Sequence, residues 1–203
     1  MNSDPRSIQP PIATREEIDY IRAATATPKF SGDGSFTAEC HQLIEQSLGI
    51  QKALLTTSCT HALEMAALLL NVGPGDEVMV PAFTFPSATN AFVLRGARPV
   101  FVDIRADTLN IDESQIEPRI TARTRAIFLV HYAGVGCEMD TILAVARHHG
   151  VAVVEDNAHG VYGRYRGRYL GTLGQLATLS FHETKNFTCG EGGALLIQGC
   201  EIQ

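Results

Sequence analysis

The stretch from Leu176 to Ala194 reads LATLSFHETKNFTCGEGGA, and the rest of the chain is best understood from it. Its first five residues are mostly apolar and predict a buried strand that ends at Ser180. Lys185 follows in a polar segment, and a glycine-rich turn comes next. Lysine is the side chain that forms Schiff bases with carbonyl compounds. Lys185 is therefore a candidate catalytic residue, although a solvated loop lysine is the commoner case.

Short apolar runs alternate with helix-length segments before this stretch. The runs cover residues 53–55, 78–80, 100–102, 126–130 and 151–154. This alternation predicts buried strands joined by crossover helices, and hence an α/β fold with a mainly parallel sheet and helices on both faces. Residues 162–174 predict a loop or hairpin, and residues 194–197 predict a last strand.

The N-terminal segment has a different character. Residues 1–15 are rich in Pro, Ser and Thr and predict an extended arm, and residues 16–26 have the apolar spacing of a short helix. We therefore divide the chain into an arm with a short helix at 1–30 and an α/β domain at 31–203. Because the sequence stops directly after a predicted buried strand, we expect it to be the N-terminal fragment of a longer protein.

Composition excludes several classes of partner and site. The chain has 203 residues, 45% of them hydrophobic, and a net charge of −6 without a basic run, which argues against nucleic-acid and membrane partners. We find no signal segment and no apolar run long enough to span a bilayer, so we expect a cytoplasmic protein. Five scattered cysteines without a C-x-x-C pair predict free thiols and no metal site.

Polar and aromatic residues follow the predicted strands, where ligands of parallel sheets bind. Residues 56–60, TTSCT, precede a strong helix, and its free N–H groups would suit a phosphate, although a plain N-cap is commoner. Phe85 follows the second strand, either as core packing or as a platform for a planar ring. Asp156 follows the fifth strand, where a buried carboxylate needs a cationic partner such as a protonated pyridine nitrogen.

These features together fit one cofactor, pyridoxal 5'-phosphate (PLP). The motifs SFHETKN with GEGG, VEDNAH, VHYAG and SCTHALE also resemble those of the DegT/DnrJ/EryC1/StrS sugar aminotransferases. The resemblance runs from about residue 28 to the end of the chain. It implies the large domain of the PLP-dependent transferase fold (aspartate aminotransferase-like), with the C-terminal small domain missing.

The resemblance also implies roles for the residues around the ring of PLP. Lys185 would be the Schiff-base lysine and would afterwards move the substrate's proton. Asp156 would pair with the pyridine nitrogen, and His159 would lie near the ring hydroxyl. Phe85 would stack on the ring.

The phosphate of PLP would be held, by the same resemblance, by Ser180 and by the backbone at Cys59 and Thr60. Many family members have glycine where this chain has Cys59. Because the contact is made through the backbone, we expect the small cysteine to be tolerated.

The implied reaction is a ping-pong transfer of an amino group from L-glutamate to a nucleotide-linked 4-keto-6-deoxy sugar. The motifs are most similar to the branch that converts dTDP-4-keto-6-deoxyglucose to dTDP-4-amino-4,6-dideoxygalactose for enterobacterial common antigen. Lys185 argues against a related dehydratase branch, which has histidine at this position. The resemblance further implies a homodimer with shared sites.

Two other functions stay open from the residues alone. A metal-dependent hydrolase could use His131, Asp156, His159 and His182, although their spacing is loose and no H-E-x-x-H pattern occurs. Alternatively, the chain could be an inactive fragment that binds PLP or a partner chain without turnover.

Two clusters of charged or titratable residues lie outside these motifs. His148 and His149 end a predicted helix, where the dipole favours them, and they are not predicted as ligands. Arg164, Arg166 and Arg168 could neutralise a sugar nucleotide's diphosphate, but a solvated hairpin face is the commoner arrangement.

Overall fold

The computed structural model describes residues 14–29 and 31–198. Helices α1–α5 span Arg15–Thr25, Ser35–Leu48, Cys59–Leu69, Pro86–Val93 and Met139–His149. Strands β1–β9 span Lys52–Thr56, Glu77–Pro81, Arg98–Val102, Thr124–Val130, Ala152–Asp156, Arg164–Tyr165, Arg168–Tyr169, Leu176–Ser180 and Gly193–Ile197. Single 3-10 turns cover Glu113–Gln115, Glu117–Arg119 and Tyr132–Gly134. None of the described helices combines the length and the apolar character needed to cross a membrane.

Seven strands form one sheet in the order β1-β9-β8-β5-β4-β2-β3. All neighbours from β8 to β3 pair in parallel, whereas β9 runs antiparallel to both β8 and β1. The predicted mainly parallel sheet is therefore confirmed, with β9 as its reversed strand. Because β9 is reversed, its first residue lies at the edge where the other strands end.

The sheet is covered on both faces, as the uninterrupted apolar runs predict. Successive residues of β4 alternate between two cores: Ala126 and Phe128 face the layer of α3 and α4, and Ile127 and Leu129 face α5. All four side chains are buried. This alternation follows from the two-residue period of a strand.

Glycines end two of the helices at the positions where the sequence changes pattern. Gly49 ends α2 and Gly150 ends α5, both with a left-handed backbone at φ 68° and 66°. Glycine adopts this conformation without the steric cost that a side chain would bring. Both helices therefore end at a glycine.

The remaining predictions differ in outcome. The short N-terminal helix is present as α1 and buries none of its side chains, whereas the predicted arm lies almost wholly outside the described residues. The segment 162–174 contains a two-stranded hairpin formed by β6 and β7.

Four of the five cysteines are free thiols, as predicted: Cys40, Cys59, Cys137 and Cys189. Cys200 lies outside the described residues.

Candidate active site

Four strands place polar residues and backbone groups at one edge of the sheet. Ser180, at the end of β8, pairs with Gly193 at the start of β9, and Gly193 pairs with Thr56 at the end of β1. Asp156 ends the neighbouring strand β5 and pairs with Thr178. The residues predicted from three separate motifs therefore meet where parallel sheets bind ligands.

The N-terminus of α3 projects over this edge. The side chain of Ser58 caps the helix by accepting a hydrogen bond from the N–H of His61 at 3.2 Å. The first N–H groups of a helix have no intrahelical acceptor, so those of Cys59 and Thr60 are available to a ligand. Together with the positive end of the helix dipole, these two N–H groups suit an anion such as a phosphate.

Gly193 allows this helix to approach the sheet closely. A Cβ atom at Gly193 would lie 2.5 Å from the backbone nitrogen of Cys59 and 2.5 Å from the carbonyl carbon of Ser58. Both are backbone atoms, so they cannot rotate away as a side chain could. The absence of a side chain at Gly193 therefore determines how closely the N-terminus of α3 can approach the strands.

We predict that Gly193→Ala will lower the free energy of unfolding by about 1–3 kcal/mol, because the added methyl group overpacks a rigid contact. It should also weaken binding of inorganic phosphate by moving the N–H groups of Cys59 and Thr60. Urea denaturation measures the first effect. Gly73→Ala is the matched control, since no atom lies within 4 Å of its Cβ position. Equal stability of the two variants would contradict the close approach.

The side chain of Cys59 turns towards the sheet. Its sulfur lies 3.4 Å from Thr178 Oγ1 and 4.0 Å from Asp156 Oδ1. Burial, followed by the nearby charge of Asp156, raises the pKa of the Cys59 thiol well above its usual range. The thiol is therefore neutral. Because the side chain of Cys59 points towards the sheet, it leaves the backbone N–H of Cys59 free for a ligand.

Asp156 is a buried carboxylate without an ion pair in residues 14–29 and 31–198. Its Oδ1 accepts a hydrogen bond from the N–H of Ala158 at 3.1 Å. Burial raises the pKa of Asp156, although this N–H group and the charge of Lys185 act in the opposite direction. A cation placed beside Asp156 would therefore stabilise the charged form of this buried carboxyl group.

Lys185 lies in a loop that two hydrogen bonds hold in place. The N–H of Lys185 bonds to the carbonyl of His182 at 2.9 Å, and Asn186 Nδ2 donates to the carbonyl of Val161 at 2.9 Å. The cleft measures about 260 Å³. Its lining consists of Tyr132, Ala133, His159, Thr184, Lys185 and Asn186.

His159 faces Lys185 across this cleft. Its Nδ1 accepts a hydrogen bond from the N–H of Ala133 at 3.2 Å, and its ring packs edge-on against Tyr132. Burial and the charge of Lys185 lower the pKa of His159. The ring is therefore neutral at pH 7, and its Nε2 carries the hydrogen because Nδ1 is an acceptor.

A second acid at this edge, Glu155, is fully buried and has a different role. Its carboxylate accepts hydrogen bonds from His131 Nε2 at 2.7 Å and from the N–H groups of Gly171, Leu173 and Gly174 at 2.9, 2.7 and 2.6 Å. Burial opposes the charge, but the bonds from His131 and these N–H groups outweigh it, so the pKa of Glu155 is lowered. Glu155 therefore holds the 171–174 loop and the end of β4 together.

Phe85 is not brought into the cleft by any described contact. Its side chain is 73% exposed at the start of α4. Phe83 instead packs against Tyr132, with ring centroids 5.1 Å apart, and Tyr132 lines the cleft. The role of Phe85 as a stacking platform stays a prediction.

The four residues considered for a metal hydrolase do not assemble a ligand set in the described part of the chain. Both ring nitrogens of His131 are engaged, Nε2 with Glu155 and Nδ1 with the N–H of Cys137. The Nδ1 atom of His159 likewise accepts from Ala133. These hydrogen bonds argue against a zinc site built on His131, Asp156, His159 and His182.

The arginines of the hairpin make local contacts. The Arg164 guanidinium stacks on Tyr169 at 3.9 Å and donates to the carbonyl of Gly167 at 2.7 Å. Arg166 forms an ion pair with Asp140 at 2.6 Å, and Arg168 donates to the carbonyl of Thr172. These contacts favour the solvated hairpin face over a diphosphate site.

A comparison with models of protein families decides the relationship. The model described as the DegT/DnrJ/EryC1/StrS aminotransferase family matches residues 11–203. The chain belongs to this family. The resemblance carried by the motifs around Lys185 and Asp156 is thereby confirmed at the level of the family.

Individual members of the family agree with this assignment. The spore coat polysaccharide biosynthesis protein SpsC of Bacillus subtilis is 40% identical over 192 residues, which are 95% of this chain and 49% of SpsC. GDP-perosamine synthase of Caulobacter vibrioides is 40% identical over 196 residues, which are 96% of this chain and 53% of the synthase. The chain thus spans about half the length of these relatives.

A solved structure gives the same result for the fold. Spr1654 of Streptococcus pneumoniae, described as a sugar aminotransferase and solved in a PLP form, superimposes with a TM-score of 0.89 at 31% identity. The match covers 96% of this chain and 53% of Spr1654. The large-domain fold of PLP-dependent transferases, expected from the sequence, is therefore confirmed.

Three residues at or near this edge of the sheet were not assigned a role from the sequence. Tyr132 lines the cleft, Glu155 accepts hydrogen bonds from the 171–174 loop, and Gly193 allows the close approach of the helix N-terminus. The motifs VHYAG, VEDNAH and GEGG contain them, so membership in these motifs was a usable signal. The residues that these three contact could not be predicted from the motifs, because those residues are distant in the sequence.

Proposed function

We propose that this chain is the PLP-binding part of a sugar aminotransferase, which transfers an amino group from L-glutamate to a nucleotide-linked 4-keto-6-deoxy sugar. The observation that carries the proposal is Asp156, a buried acid without a cationic partner in the described residues, at the same sheet edge as an anion-binding helix N-terminus. A pyridinium N–H is the cation that this position fits.

The residues present match the three polar parts of PLP. The N–H groups of Cys59 and Thr60, with the buried hydroxyl of Ser180, would hold the phosphate. Asp156 would accept the hydrogen bond of the ring nitrogen, and the neutral His159 can donate from Nε2 to the ring hydroxyl. Lys185, on the wall of the cleft, would reach the aldehyde carbon.

Bound PLP supplies an electron sink for the negative charge that remains when an amino compound loses its α proton. The carboxylate of Asp156 would keep the hydrogen on the ring nitrogen, because paired charges stabilise each other in a buried site. Lys185 Nζ would act as the general base that accepts the α proton of the amino compound and as the general acid that gives a proton back. The N–H groups of Cys59 and Thr60 would hold the phosphate and so would fix the orientation of the ring.

We predict that Asp156→Asn will weaken PLP binding by about 10–100-fold, the value of a hydrogen bond to a charged group. The same change should raise the melting temperature of the PLP-free chain by about 2–4 °C for each kcal/mol gained. A carboxyl group whose folded pKa is raised costs stability as the pH rises through that value, and asparagine has no such cost. The stabilisation should therefore be present at pH 8 and disappear in acid.

Absorbance titration with PLP and thermal melts at both pH values measure these effects. Asp140→Asn is the matched control, because Asp140 is exposed and paired with Arg166 away from the cleft. If Asp156→Asn bound PLP as tightly as the unchanged chain, Asp156 would not be the partner of the ring nitrogen.

For the acceptor we propose dTDP-4-keto-6-deoxyglucose, with dTDP-4-amino-4,6-dideoxygalactose as product. The motif resemblance supports this choice and supports a cytoplasmic homodimer that acts in enterobacterial common antigen synthesis. One relative is named for a GDP-linked sugar, so the nucleotide must be tested directly.

The test is a transamination assay of the chain with L-glutamate and either dTDP- or GDP-linked 4-keto-6-deoxy sugar. Size-exclusion chromatography with light scattering would measure the dimer. Amination of the dTDP sugar in preference to the GDP sugar supports the proposal, and the reverse preference refutes the choice of nucleotide. PLP binding without turnover of either sugar would support the alternative of an inactive PLP-binding chain.

A further inference from the structure

A second group of potential ligands lies at the opposite edge of the sheet from the cleft. His148 and His149 are the last two residues of α5, which returns from the end of β4 to the start of β5. Glu117 belongs to the 3-10 turn that precedes β4. All three side chains are exposed, and the sequence separates Glu117 from the histidines by about thirty residues.

The geometry of these three side chains is close to that of a metal site. Each offers one ligand atom, and these atoms lie within 4.8 Å of one another. His149 Nε2 and Glu117 Oε1 are 3.0 Å apart, and the two imidazole rings are perpendicular with centroids 4.7 Å apart. The ligand atoms of a tetrahedral zinc ion lie about 3.3–3.5 Å from one another, so small side-chain rotations would complete the set.

The end of α5 adds a partial negative charge beside the two histidines. The carbonyl groups at the C-terminus of α5 carry the negative end of the helix dipole. Gly150 ends the helix in a left-handed conformation directly after His149, so the C-terminus of α5 lies beside these side chains. The dipole alone would explain the two histidines, but it does not explain why Glu117 lies against them. The carboxylate from a distant turn adds the third ligand and a negative charge.

We propose that Glu117, His148 and His149 bind one Zn²⁺ ion, with water in the fourth position. Two imidazoles and one carboxylate are a common donor set for zinc in proteins. The ion would link the turn before β4 to the end of α5, and so would stabilise the fold away from the cleft. The proposal concerns stability and does not depend on the transamination chemistry.

Isothermal titration of the tag-free, PLP-free chain with ZnCl₂ tests the proposal. We expect saturable binding of one ion, and no comparable binding of MgCl₂, since magnesium prefers oxygen ligands. His148→Ala and His149→Ala should each weaken binding by at least about tenfold, because loss of even an outer-shell partner costs about 10–100-fold. At a hundredfold excess of Zn²⁺ over its Kd, the melting temperature should rise by about 5–10 °C.

His182→Ala is the matched control. His182 is partly exposed and lies 3.9 Å from Glu191, but this pair has no third ligand in the described part of the chain. Unchanged zinc affinity in His182→Ala, with loss in the other two variants, supports the site. Equal affinity in all variants, or no saturable binding to the unchanged chain, overturns the proposal. Circular dichroism confirms that each variant is folded.

Discussion

Lys185→Ala is expected to abolish the fixation of PLP to the chain by borohydride. The chain has three lysines, so peptide mapping of the reduced protein identifies the attachment site without ambiguity. Lys29 Nζ bonds to the carbonyl of Asp33 and Lys52 Nζ pairs with Glu45, whereas Lys185 lines the cleft. In a transamination assay the same change should lower the rate by at least about 10²–10⁴-fold, the usual contribution of a general acid or base.

Lys52→Ala serves as the control, because it removes an exposed lysine that is already paired. It should leave both the visible absorption band of bound PLP and the borohydride label unchanged. A label that maps to Lys29 or Lys52, or that persists in Lys185→Ala, would exclude the proposed role of Lys185. Absence of any label in the unchanged chain would show that these 203 residues do not assemble the PLP site by themselves.

Glu155→Gln is expected to destabilise the chain more than any surface substitution. Each carboxylate oxygen of Glu155 accepts two hydrogen bonds, and the amide of glutamine would place a donor against two of those donors. With about 1.5–3 kcal/mol for each hydrogen bond to a charged group, the loss is about 3–6 kcal/mol. Urea denaturation at pH 7 measures it.

The pH dependence distinguishes this role from simple packing. The folded pKa of Glu155 is lowered, so its contribution is present above the pKa of an unfolded glutamate, about 4.3, and is lost as the pH falls through the folded value. The difference in stability between the two proteins should therefore shrink below about pH 4. Glu183→Gln, at an exposed carboxylate, is the control. A difference that stays constant from pH 7 to pH 3 would refute the charged role of Glu155.

Much of the fold could be predicted because its signals are local. The apolar runs that became β1 to β5 and β8 were recognisable, as was the acid at the end of β5. The direction of β9 could not be predicted. An apolar run has the same pattern in both directions, and the tertiary fold determines which strands it pairs with.

In the candidate site too, some features could be predicted from the sequence and others depend on packing. Lys185, Asp156, Ser180 and the TTSCT segment were recognisable because residues with chemistry followed predicted strands, and the fold brings them to one edge. The exposed position of Phe85 was not predictable, because the sequence offers two similar aromatics and only packing distinguishes them.

The sequence by itself determined the element types, the family and the chemical groups that the site contains, since periodicity and residue type are properties of short segments. The tertiary structure decided which groups meet. It places Gly193 beneath the nitrogen of Cys59, encloses Glu155 with His131 and three N–H groups, and leaves Asp156 without an ion pair in the described residues. These contacts join residues that are distant in the chain, and strand order and register, not local pattern, set their distances.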